Sequence, residues 1–136
     1  IAVDTPYGLV VPVIRDADGK TVVAIGEEIS ALAARAQERK LRPDDMGGAS
    51  MTISNLGAIG GEAFTPIINP PELAILGLSR SEIRPVWDGA AFQPVPMVPL
   101  DLTYDHRVVN GADAARFLTR YRALLADAES LDIASP

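Results

Sequence analysis

The chain holds one histidine, His106, inside the stretch DLTYDHRVVNGADAARF, flanked by Asp105 and Arg107. Histidine is the side chain whose ordinary pKa lies nearest neutrality, so His106 is the foremost candidate for a general base. Position alone does not make it one, since a lone histidine is more often a hydrogen-bonded structural residue. Ser54 is the second candidate. A hydrolase presents its serine in Gly-x-Ser-x-Gly on a sharp turn, whereas Ser54 sits in TISNL, with no such elbow and no acid placed to orient the histidine. Ser54 therefore reads as a solvent-facing or cross-strand-bonded residue of a strand and not as a nucleophile. Asn110 follows His106 by four positions, at the start of a predicted helix.

Other chemistries are excluded by composition. With no cysteine and one histidine in 136 residues, disulfides, thiolate nucleophiles and Cys- or His-based metal sites cannot form within the chain, and no metal is expected. A net charge of -6 argues against a nucleic-acid partner. The remaining ten Arg and two Lys could still serve a small anionic ligand. No apolar run approaches the ~20 residues of a membrane span, and the first residues lack the basic-then-apolar pattern of a signal peptide. The glycines of LGAIGG (56–61) match neither G-x-G-x-x-G nor a P-loop, and imply positive backbone φ or close approach.

The elements that must position these residues follow from periodicity. GLVVPVIRDADGK (8–20) reads as a buried strand, with Pro12 placing it at an edge or bulge. Residues 21–40 read as a helix capped by Thr21, with Ile25, Ile29, Leu32, Ala33 and Ala36 on one face, Arg35 near its cation-favouring end, and Pro43 as a stop. Residues 49–57 alternate as a strand, with Met51 and Ile53 inward and Thr52 and Ser54 outward. A Gly/Pro-rich loop (57–71), a central apolar strand (72–79), a hairpin turning at Asp88-Gly89 (83–95) and a further strand (96–106) come next. Residues 110–130 read as a second helix, with Ala114, Phe117, Leu118, Tyr121, Leu124, Leu125 and Ala128 on one face. Trp87, Phe92 and Tyr104 read as core or interface residues. The order implies an α/β, two-layer fold: a mixed sheet covered by helices.

DHRVVNGADAARF resembles the His-x-x-x-Asp/Asn-Gly signature of the dihydrolipoyl acyltransferase components of 2-oxo acid dehydrogenase complexes. GLVVPVIRDAD, MTISNLGAIGG, FTPIINPPELAILGLS, PVWDGAAFQP and LTYDHRVVNGADAARF resemble the same family in the same order, over nearly the whole chain. The match is most like the pyruvate, acetyl-transferring branch; the succinyl branch tends to carry Thr where this chain has Ser54. The resemblance implies a chloramphenicol acetyltransferase-like fold and residues 1–136 as the C-terminal portion of the catalytic domain, with lipoyl and subunit-binding domains elsewhere. It implies transfer of an acyl group between the dihydrolipoyl arm of a lipoyl domain and coenzyme A. His106 would be the base, Ser54 an oxyanion donor, and Asn110 a third member of the catalytic set, suited to a hydrogen-bonding or capping task. Asp105, Arg107 and Gly111 would support that corner, Gly111 by permitting close packing or unusual backbone. Implied partners are two further copies in a trimer or a larger body of trimers, lipoyl domains, and the decarboxylase and dihydrolipoyl dehydrogenase subunits. The implied setting is the cytoplasm of a bacterium or the mitochondrial matrix. Rivals are a non-catalytic assembly scaffold, which would need neither His106 nor Ser54, and another CoA-dependent acyltransferase with a small free acceptor.

Overall fold

In the computed structural model, residues 1–127 are described. Their elements run β1 (Val3–Thr5), β2 (Gly8–Val10), α1 (Val22–Gln37), β3 (Thr52–Asn55), β4 (Ala74–Leu78), β5 (Glu82–Trp87), β6 (Phe92–Met97), β7 (Leu100–Tyr104) and α2 (Gly111–Ala126).

The central unit is a three-stranded sheet in the order β3-β4-β7, with β3 parallel and β7 antiparallel to β4. This is the mixed sheet expected from the sequence. Cross-strand partners share a face, and faces alternate along each strand. Thr52, Ser54, Ile75, Gly77, Asp101 and Thr103 therefore point to one side, and Ile53, Leu76, Leu102 and Tyr104 to the other. The first side is covered by the loop after β3. A side-chain carbon on Gly77 would come within 2.9 Å of the Phe64 ring, so only glycine leaves that ring its seat. The second side receives α2, through its buried Ala114 and a cavity of about 240 Å³ that Leu102, Tyr104 and Phe117 help to line.

Several sequence expectations need correction. The strand read over 8–20 stops at Val10, and β2 pairs only with β1; Pro12 lies fully buried in an isolated bridge to Met46. Thr52, read as outward, is 2% exposed, and its hydroxyl donates to the Glu72 carboxylate at 2.6 Å. That satisfied hydroxyl is what lets a polar residue occupy the inner phase. The helix read over 21–40 ends at Gln37, after which Arg39 turns into the left-handed region at φ 56°. Thr21 caps it as expected, accepting from the Ala24 amide. Arg35 serves a partner beyond its own helix: it grips the buried Asp45 through two hydrogen bonds of 3.0 and 3.1 Å. The helix packs against β1, so the layer over the sheet is made chiefly by α2. On α2, Phe117 and Leu125, read as inward, are exposed. The end of the helix read to 130, with Ala128, lies outside the described residues.

β5 and β6 form a separate hairpin that joins neither other sheet. Asp88 fixes its turn, as its Oδ1 accepts from the amides of Ala90 and Ala91 at 2.8 Å while Gly89 takes φ 108°. Pro85 faces Pro94 across the ladder, and Ile83 faces Pro96. Trp87 and Phe92 meet edge to face with centroids 5.2 Å apart, but are 56% and 68% exposed, so they are not core.

Candidate active site

β7 ends at Tyr104, and the chain then turns tightly: the amides of Val108 and Val109 both donate to the Asp105 carbonyl, at 3.0 and 2.9 Å. His106 sits at the head of this turn and is exposed. Its neighbours fix the turn from both sides. The Asp105 carboxylate accepts from the Arg107 backbone amide at 3.0 Å and from its guanidinium at 2.5 Å. Those bonds to Arg107 pull the Asp105 carboxyl down to about 2, so the pair stays ionised throughout the neutral range. Asp105 and Arg107 thus bind one another across the turn that carries His106. The ring of Tyr104 lies against that of His106, with centroids 5.4 Å apart and planes inclined at 44°.

Asn110 is the N-cap of α2. Its Oδ1 accepts from the Asp113 amide at 2.9 Å, and its Nδ2 donates to the Asp113 carboxylate, which in turn pairs with Arg116. The cap fixes where α2 starts, and so where the turn carrying His106 must close. Gly111 follows with ordinary backbone angles, so the unusual backbone read as one option is not there. A Cβ on Gly111 would lie 3.4 Å from Tyr104 Oη and 4.0 Å from His106 Nε2, ordinary contact distances.

Ser54 occupies the other end of the sheet. It pairs with Gly77 in β4, which pairs with Asp101 in β7, whereas Tyr104 pairs with Ala74. The two rows are three residues apart and two strands across. At ~3.3 Å per residue and ~4.8 Å per strand, Ser54 and Tyr104 are separated by roughly 14 Å. β7 runs away from Ser54 as it approaches His106, and Ser54 and Tyr104 point to opposite faces. The two candidate residues are thus not brought together within one chain, although hydrogen-bond reach is only ~3 Å. Beyond Ser54 the chain enters the glycine-rich loop, where Gly60 and Gly61 take φ 116° and 97°, as their pattern implied.

Sequence reasoning missed two features near these ends. Tyr104 was read only as core or interface, although its place two residues before the histidine, at a strand end, could have raised it. Asp101, on the Ser54 row, has a buried Oδ2 with no hydrogen-bond partner among the described residues. No helix among the described residues is long and apolar enough to cross a membrane.

The structure thus has a mixed sheet with a histidine on the turn after β7 and a serine on its β3 edge, and comparison with known proteins fixes the family. The chain belongs to the family of 2-oxoacid dehydrogenases acyltransferase (catalytic domain), whose family model matches residues 1–133. Among curated relatives, the dihydrolipoyllysine-residue acetyltransferase component of the pyruvate dehydrogenase complex of Pseudomonas aeruginosa is 58% identical over 130 residues, covering 96% of this chain and 24% of its own length. The component of the same name from Azotobacter vinelandii is also 58% identical over 130 residues, which make up 20% of its length. The chain therefore spans a quarter or less of these relatives. Among solved structures, the cubic core of the pyruvate dehydrogenase multienzyme complex superposes with a TM-score of 0.93 at 58% identity, over 96% of this chain and 54% of that one. A second, of Azotobacter vinelandii dihydrolipoamide acetyltransferase, gives 0.93 at 57% identity with the same coverage; it addresses the role of a serine, a histidine and an asparagine in that enzyme's catalytic mechanism.

Proposed function

We propose that this chain is the C-terminal portion of an acyltransferase catalytic domain that moves an acetyl group between a dihydrolipoyl lysine and coenzyme A in a pyruvate dehydrogenase complex. One observation carries the residue assignment. Ser54 and His106 are 52 positions apart and His106 and Asn110 four apart, the same separations as the serine, histidine and asparagine of the Azotobacter vinelandii enzyme.

The chemistry then follows from the side chains. A thiol of pKa ~8.5 is mostly protonated at neutral pH. His106 takes that proton: the S–H bond breaks, an N–H bond forms, and the electron pair stays on sulfur. The sulfur adds to the thioester carbonyl, whose oxygen becomes an oxyanion, and the Ser54 hydroxyl donates a hydrogen bond to it. As the carbonyl reforms, the dihydrolipoyl C–S bond breaks and the leaving thiolate recovers the proton from His106. Asn110 positions the base by capping α2.

The separation of the two ends supports a site shared between copies, Ser54 of one chain meeting His106 of the next. A head-to-tail contact of this kind closes naturally into a ring such as a trimer. Lipoyl domains and the other two enzymes of such a complex are the partners this reading supplies. The bacterial sources of the relatives favour a cytoplasmic setting.

Subunit mixing tests the reading. Full-length Ser54→Ala and His106→Ala chains, each inactive alone, should regain part of the acetyl-transfer rate after exchange, because some interfaces pair an intact serine with an intact histidine. No recovery despite exchange shown by mass spectrometry would mean that each site is built otherwise.

A further inference from the structure

We infer that Tyr104 is a catalytic residue: with His106 Nε2 it forms a two-point slot for the attacking thiol, and Gly111 is bare to admit the sulfur. The inference rests on the reading of His106 as the base. Three observations converge on this slot. The position a Gly111 Cβ would occupy lies 3.4 Å from Tyr104 Oη and 4.0 Å from His106 Nε2, so both polar atoms border one small volume. Neither atom has a hydrogen-bond partner among the described residues, although the Asp105, Arg107 and Asn110 side chains around them are all bonded. The third concerns what the fold demands of Gly111. Its φ is not positive, and a methyl there would make only ordinary contacts, so neither backbone nor packing requires a glycine. What a methyl would do is fill the space beside Nε2.

The slot has a simple chemical use. As the S–H proton passes to His106 Nε2, negative charge gathers on sulfur. Tyr104 Oη donates a hydrogen bond to that sulfur and stabilises the thiolate as it forms. The tyrosine gives up no proton, and its ring, lying against the imidazole, keeps the donor and the base in step.

Tyr104→Phe removes the hydroxyl and keeps the ring. In the full-length protein, kcat for acetyl transfer should fall roughly 10- to 100-fold, the worth of a hydrogen bond to a charged group. Thermal unfolding should be unchanged, because the lost oxygen has no partner among the described residues. Gly111→Ala should also fold normally and lose rate, since its methyl occupies the place of the sulfur. A wild-type kcat in either variant would overturn the slot. His106→Ala, assayed alongside, separates the two readings. If it is inactive while Tyr104→Phe is unimpaired, only the tyrosine's role falls; if it keeps its rate, the base and the slot fall together.

Discussion

The two ends of the central sheet are built by opposite means. At the Ser54 end the backbone is held by long-range order: β3 lies in register on β4, the Leu56 amide donates to the Leu78 carbonyl at 2.8 Å, and Phe64 is seated on Gly77. At the His106 end one long-range bond, from the Asp105 amide to the Leu73 carbonyl at 2.8 Å, anchors a corner whose side-chain contacts are local. Asp105 binds Arg107 two positions on, Asn110 caps Asp113 three positions on, and the turn closes on the Asp105 carbonyl. A hydrogen-bond donor for an oxyanion must be fixed before charge appears, and a strand held in register on its neighbour provides that. A base must meet an incoming thiol and release its proton later, and an exposed turn allows both.

Substitutions can break or sharpen this contrast. His106→Ala should have the largest effect, lowering kcat by about 10²–10⁴-fold. It should leave the unfolding midpoint in place, because the ring is exposed and makes no hydrogen bond within the described residues. A large loss of stability would show that the turn leans on the histidine after all. Ser54→Ala comes next, with a loss of about 10²–10³-fold in kcat and little change in KM. Intact-mass spectrometry with acyl donor should find no acyl-serine on the unaltered protein, and finding one would turn the donor into a nucleophile. Asn110→Ala is the smallest. Loss of the cap should cost about 1 kcal/mol in denaturant unfolding, and the turn's other bonds should limit the fall in kcat to less than that of Ser54→Ala. An undiminished unfolding free energy would remove the cap from the account of that end.

The same contrast decides what could be read in advance. The His106 corner is local in sequence, so the passage from strand to helix was legible in DHRVVNGADAARF, although the strand expected to run to 106 ends at Tyr104. Tyr104 was visible as a letter but not as a neighbour of the imidazole, because that contact depends on how the turn folds back. At the Ser54 end the strand was legible and its inner phase was not. Alternation placed the apolar Met51 and Ile53 inward, yet Thr52 is the buried residue, since Glu72 arrives from a distant loop to satisfy it. Arg35 shows the same limit: its partner Asp45 is brought to it only when the segment after α1 folds back. The family-level reading survived these errors because it rested on motifs spread along the chain, and the register of β3, β4 and β7 adds that Ser54 and Tyr104, two residues before His106, lie apart within one chain.

The prolines of the β5–β6 hairpin carry a consequence for the life of the protein in a crowded cell. Pro85 and Pro94 stand opposite one another and cannot exchange hydrogen bonds, so theirs is the kind of pair whose backbone nitrogens point outward, and Pro96, two residues on, points the same way. Each of the three positions therefore removes a donor from an open edge of a ribbon that also displays Ile83, Trp87 and Phe92. Exposed apolar strands ordinarily invite stacking into aggregates, and an edge stripped of its amides cannot template the next strand. The hairpin can keep a sticky surface for a specific contact while being a poor seed for cross-β growth.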